Sequence, residues 1–300
     1  MPPKKIKITM DKLYCIRKTY YSRIYIVENN PSYLLKEHFF PNKIIHEYKT
    51  LKFLRKKNFN NIPEFKLIKI NNRQFLSLKK LNKPFLFPNK TNTPQITMLA
   101  KTIAKLHNIK TNKTQKDFIQ MKISRIKKLF FQYKFIDNYY NNQPNLSLQK
   151  TILQYINFII KFAKKIPLPA QNLSLIHGEL FPDYFFLENK KIKIIDWENS
   201  CFGDPMYDLA TLFNQKNFPQ KKFLTHYSGC NDKQYLTKKI KLYQFLKTLN
   251  SLLFSILDSI ISIDNFKDTA AIGGKKTIYR KEILTELKKI KELYNSIKTI

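Results

Sequence analysis

The chain has 300 residues, 43% of them apolar and 14% aromatic, which is ample for a real core and excludes a disordered chain. Its formal net charge of +34 is carried almost wholly by lysine, since only Arg17, Arg23, Arg55, Arg73, Arg125 and Arg280 are arginines. Lysine rises together with Ile and Asn along the whole chain, and no zinc finger, RNA-recognition signature or confined basic arm accompanies it, so compositional drift is preferred to specific nucleic-acid binding. The N-terminal Met-Pro-Pro-Lys-Lys-Ile-Lys lacks the apolar run of a secretory signal, which predicts a cytoplasmic protein. Cys15, Cys201 and Cys230 are widely spaced with no Cys-x-x-Cys pair and read as ordinary thiols.

Tyr25-Ile-Val and Tyr33-Leu-Leu read as short strands joined by the turn-rich Glu28-Asn-Asn-Pro31. Ile44, Ile45, Tyr48, Leu51 and Leu54 recur at helical spacing. Two further strands follow, Phe65 to Ile70 and Gln74 to Leu78, with Asn71-Asn72 as their turn. Past a crossing segment, Leu81 to Pro88, the pattern turns helical: Ile96 to His107, then Leu148 to Ile166, with one helix and a loose loop around Asn138 to Asn145 between them. The helices Tyr235 to Ile263 and Tyr279 to Ile297 complete the chain. The longest apolar stretch, Leu252 to Ile263, is broken by Ser255, Asp258, Ser259 and Ser262, so no membrane span is expected.

The chemistry-bearing stretch is Leu173-Ser-Leu-Ile-His177-Gly-Glu179, then Tyr184-Phe-Phe-Leu and Ile192-Lys-Ile-Ile195-Asp196-Trp-Glu, followed by Gly203-Asp204-Pro205-Met-Tyr-Asp208-Leu-Ala. An apolar run ends in a polar loop, and a hairpin then delivers Asp196 at the exit of its second strand. A loop acid beside an acid at a strand end suits phosphoryl transfer: one accepts the attacking hydroxyl's proton while the other holds Mg2+ against phosphate oxygens. Asp204-Pro205 also reads as an N-cap followed by proline in the first turn.

These residues resemble the choline kinase, thiamine kinase and aminoglycoside phosphotransferase family, above all bacterial choline kinases. That family's loop reads His-x-Asp-x-x-x-x-Asn and is followed by Ile-Asp-(Trp/Phe)-Glu and Gly-Asp-Pro-x-x-Asp-Leu-Ala. The resemblance implies an α+β, protein-kinase-like two-lobed fold, with a small antiparallel-sheet lobe over residues 1–80 and a larger, mainly helical lobe over 81–300. It implies ATP and Mg2+ as cofactors, His177 as the loop-shaping histidine, Glu179 as catalytic base, Asp196 as Mg2+ ligand, and Asp204 and Asp208 as structural acids. Upstream it implies Lys36 on the ATP phosphates, paired with Glu47.

Three departures mark the match. Glu179 is one methylene longer than the family's Asp, and a displacement of about 1 Å can cost about a hundredfold in rate. Tyr184 stands where a metal-binding Asn is expected, and a phenol is a poor Mg2+ ligand; Asp183, next to it, is the substitute candidate. The loop Arg17-Lys-Thr-Tyr-Tyr-Ser-Arg23 has no glycine, leaving Arg17 and Ser22 among the residues to contact phosphate. For the acceptor, a small-molecule amino alcohol such as choline or ethanolamine, the candidates are Trp197, Glu198, Tyr207 and Asp258, as aromatic faces and carboxylates hold permanent cations. The alternatives are a thiamine or aminoglycoside kinase, a catalytically lapsed kinase fold, and a lysine-driven nucleic-acid binder.

Overall fold

The computed structural model describes residues 10–19, 21–28, 30–85, 93–140, 145–166, 172–215, 217–228, 233–264 and 272–298. In chain order the elements are β1 (Leu13–Lys18), β2 (Ser22–Val27), β3 (Asn30–His38), α1 (Pro41–Lys56), β4 (Phe65–Ile70), β5 (Arg73–Lys79), α2 (Thr93–His107), β6 (Lys110–Thr114), α3 (Gln115–Tyr140), α4 (Leu146–Lys165), β7 (Asn172–Ile176), β8 (Phe185–Glu188), β9 (Lys191–Ile194), β10 (Cys201–Gly203), α5 (Pro205–Phe213), α6 (Gln220–His226), α7 (Lys233–Asp264) and α8 (Ile272–Lys298). The class is α+β, with an antiparallel sheet in the N-terminal region and a mainly helical C-terminal part. Among the described residues, no helix is long and apolar enough to cross a membrane.

The chain forms two compact units, Met1–Lys110 with Ser174–Phe202 and Gln215–Gly229, and Thr111–Leu173 with Gly203–Asn214 and Cys230–Ile300. The hairpin β8–β9 returns to the first unit because backbone hydrogen bonds hold it there: Phe85 N donates to Phe185 O and Leu187 N to Lys83 O, both at 2.8 Å, and Ile194 N donates to Asn61 O at 2.8 Å.

The first unit is built on a five-stranded antiparallel sheet in the order β1-β2-β3-β5-β4. The edge strand β1 is absent from the sequence reading. Its side chains are exposed from Tyr14 to Lys18, so no inward apolar alternation marks it. Asn71 (φ 44°) and Asn72 (φ 64°) close β4–β5, and Asn189 (φ 49°) and Lys190 (φ 59°) close β8–β9. Positive φ at both central residues matches the right-handed strand twist, and asparagine tolerates it better than most residues. Side chains alternate across β3, so Leu35 enters the core with Tyr25, Val27, Ile70 and Phe75 while Lys36 faces the other way, toward α1. On α1, Glu47 lies among the buried residues Ile44, Thr50, Leu51 and Leu54, and this inward stripe places a carboxylate opposite Lys36.

In the second unit, α7 packs along α3, α5 and α8. Asn145 caps α4 by accepting from Leu148 N at 3.0 Å, a contact worth about 1 kcal/mol. The buried Asp137 on α3 accepts from Gln149 Nε2 at 2.6 Å and Asn145 N at 3.1 Å, tying the end of α3 to the start of α4. The helix α3 runs to Tyr140, and residues 141–144 of the loop expected around Asn138 to Asn145 lie outside the described residues. Asp204 caps α5, accepting from Met206 N at 3.0 Å, and also meets Tyr243 Oη at 2.8 Å and Lys239 Nζ at 2.5 Å.

Candidate active site

Three distant segments of the first unit converge on one ammonium. Lys36 Nζ on β3 lies 2.9 Å from Glu47 Oε2 on α1, 2.5 Å from Asp196 Oδ1 just past β9, and 2.7 Å from Glu198 Oε2. Glu47 is 1% exposed and also accepts from Trp197 N at 3.1 Å, so its charge is compensated from two sides. Burial works against the ammonium, yet Glu47, Asp196 and Glu198 together hold the Lys36 pKa well above its usual value. Burial likewise opposes ionised Asp196, but the charge and hydrogen bond of Lys36 outweigh it and hold the carboxyl below the usual range.

Asp196 occupies the left-handed region, φ 70° and ψ 57°, a conformation that costs a non-glycine residue about 1–2 kcal/mol. Such strain persists only where the surroundings enforce it. Here they do: His177 Nε2 donates to Ile195 O at 2.8 Å, Trp197 Nε1 donates to Ile194 O at 2.9 Å, and Ser200 Oγ donates to Trp197 O at 2.7 Å. From α1, His46 Nε2 meets Ser200 O at 2.8 Å and Lys43 Nζ donates to Asn199 Oδ1 at 2.6 Å. Gly178 lies against the same turn with φ +91°, and a Cβ there would run into the Asn199 carbonyl oxygen. This glycine was not singled out in the sequence; its place between His177 and Glu179 is the signal that could have found it.

The loop residues behave individually. Glu179 and Asp183 are exposed. The Tyr184 phenol is pushed well up, first by burial and then by the charges of Asp196 and Glu179. The acids gathered around Asp196 are Glu47 and Glu198, whose ligand oxygens all lie within 4.8 Å of one another. Asp183, the acid expected beside Asp196, is not in that group. Carboxylate oxygens are the donors Mg2+ favours, and Asp196 and Glu198 keep 27% and 18% side-chain exposure, so this donor set fits such an ion. Arg17 is exposed on β1, and Ser22 Oγ lies 3.0 Å from Thr19 Oγ1 in the β1–β2 turn.

The expected acceptor residues fare differently. Trp197 is fully buried, 6.0 Å from Phe59 and 4.7 Å from His177 between ring centres, so it presents no face to a dissolved cation. Glu198 turns to Lys36, with His38 Nε2 at 3.7 Å from its other oxygen. In the second unit Tyr207 carries Lys122 Nζ at 4.2 Å and Lys247 Nζ at 3.7 Å from its ring centre, so lysines stand where a cationic substrate was expected. The Asp258 side chain lies outside the described residues.

Residues 90–227 match the phosphotransferase enzyme family, APH. Over that stretch the chain is similar to the APH phosphotransferases. It is 26% identical over 134 residues to the protein LicA homolog of Mycoplasma capricolum subsp. capricolum, a match covering 39% of this chain and 56% of that one, so it spans about half the length of that relative. Among solved structures, a GDP complex of aminoglycoside 2'-phosphotransferase-IIIa is similar with a TM-score of 0.67 at 15% identity, covering 97% of this chain and 93% of that one. The Plasmodium vivax ethanolamine kinase gives 0.64 at 18%, covering 94% and 84%. Identities this low speak to the fold, which is protein-kinase-like as the motif implied.

Proposed function

We propose that this protein transfers the terminal phosphoryl group of ATP to the hydroxyl of a small cationic metabolite, with choline or ethanolamine preferred over thiamine or an aminoglycoside. The observation that carries the reading is the convergence of Lys36, Glu47, Asp196 and Glu198 beside the His177–Tyr184 loop. Three carboxylates against one ammonium leave an excess of negative charge that suits a further cation. Mg2+, held by Asp196 and Glu198, would neutralise charge on the phosphate oxygens. Lys36, steadied by Glu47, braces the phosphates. Glu179 accepts the acceptor's proton as its oxygen bonds to phosphorus, and the bond from that phosphorus to ADP breaks. The glycine-free turn at Thr19–Ser22 offers hydroxyls, with Arg17 as charge, in place of a glycine cradle.

A lapsed fold that binds nucleotide without turnover has one specific observation in its favour: Tyr184, at the position where a metal-binding Asn is expected, packs its phenol ring against His177 with ring centres 5.7 Å apart. Labelled ATP with choline, ethanolamine, thiamine and kanamycin separates the readings. Transfer to an amino alcohol supports the proposal, transfer to kanamycin alone moves the acceptor class, and nucleotide binding with no transfer to any of them defeats it. A large rate gain in the double variant Glu179→Asp, Tyr184→Asn would mark the native pair as limiting.

A further inference from the structure

Helix α3 buries Ile126, Leu129, Phe130, Tyr133 and Asp137, positions spaced to occupy one side of a helix. The opposite side is not the polar surface that this arrangement normally leaves. Phe131 is 66% and Phe135 71% exposed, and together with Ser124, Lys127, Lys128 and Gln132 they line one continuous open depression. Positions 124, 128, 131 and 135 follow the three- and four-residue spacing of a single face. Lys127 and Lys134 border the phenylalanines on one edge and Lys128 on the other, while Met121, 51% exposed, extends the apolar stripe toward the start of the helix. From Phe118 to Asn138 the only carboxylate is Asp137, and it is buried on the far side.

We propose that this face of α3 docks the protein on an anionic phospholipid surface. Aromatic side chains flanked by lysines are what an interfacial segment needs, because the rings enter the boundary between headgroups and acyl chains while the ammonium groups remain at the phosphates. Charge decides between occupants. A second copy would set Lys127, Lys128 and Lys134 against the same lysines across a two-fold contact, between chains of +34 each. A nucleic-acid backbone would satisfy the lysines but leave Phe131 and Phe135 in water, since their spacing on a convex helix serves no base stacking. A bilayer surface takes both at once, and the overall positive charge draws the protein toward it within a Debye length.

The test is cosedimentation of the full chain with vesicles of phosphatidylglycerol and phosphatidylcholine, against vesicles of phosphatidylcholine alone. The expected result is binding to the anionic vesicles only, weakened about tenfold or more by Phe131→Ser with Phe135→Ser and by Lys127→Glu with Lys128→Glu, and unchanged by Leu284→Ser, which removes an exposed apolar side chain elsewhere. These positions are exposed, and unchanged circular dichroism and thermal midpoint show that the variants fold. No affinity for anionic vesicles overturns the proposal. So does binding indifferent to the phenylalanines, which would be bulk lysine attraction, or a dimer in light scattering that the phenylalanine variant dissociates.

Discussion

At the scale of single residues, the site rests on side chains whose roles come from partners far away in sequence. Lys36 stands among three carboxylates, so it is the countercharge that lets Glu47 lie fully buried. Gly178 is the opposite kind of residue, defined by what it lacks. Its φ of +91° and the Asn199 carbonyl facing it leave no room for a methyl group. Gly178→Ala is therefore expected to lower stability by about 2–4 kcal/mol, read as a shifted urea midpoint, and to displace His177 and Glu179 on either side. An unchanged midpoint would contradict the close approach. The pattern of His177, Glu179, Asp196, Asp204 and Asp208 can be read in the sequence because the loop, the next strand end and the two acids around Pro205 follow one another closely, so that spacing alone defines it. The task of Glu198 was not legible, since it follows from a contact with Lys36 on a strand far earlier in the chain. Trp197 could be read either as a core aromatic or as a face for a cation, and its full burial against Phe59 and His177 makes it the former.

At the scale of elements, strands and helices with regular apolar spacing were readable, including the hairpin that delivers Asp196. The edge strand β1, exposed along nearly its whole length, and the short helix α6 lacked such a signal. The junction of α3 and α4 shows how a polar contact fixes an element boundary. Asp137→Leu would keep the branched shape but strand the donors of Gln149 and Asn145, and a loss of about 2–4 kcal/mol is expected in denaturant unfolding. Tyr133, one turn earlier, is pushed well up by burial and then by the negative charge of Asp137. A raised folded-state pKa means that this stabilisation is complete below the unfolded value of about 10 and is lost as pH rises beyond it. The fall in unfolding midpoint between about pH 9 and about pH 11 should accordingly be smaller in Tyr133→Phe than in the native chain.

At the scale of the whole molecule, each unit gathers segments that are far apart in the chain. Ser174–Phe202 belongs with the N-terminal unit through hydrogen bonds to Asn61, Lys83, Phe85 and Glu47, and local composition does not encode such returns. The net charge of +34 acts on the molecule as a whole. Mutual repulsion of lysines opposes compaction and salt screens it, so the thermal midpoint should rise by several degrees, or about 1–2 kcal/mol, between about 20 mM and about 500 mM sodium chloride. A midpoint that falls with salt would mean that attractive ion pairs dominate instead. The most direct test of the central claim is phosphoryl transfer from labelled ATP to an amino alcohol, comparing the native chain with Asp196→Asn and following nucleotide binding in parallel. The prediction is measurable transfer by the native chain and a loss of about a hundredfold or more in the variant, with its fold intact. Equal transfer by both proteins would contradict the assignment of Asp196.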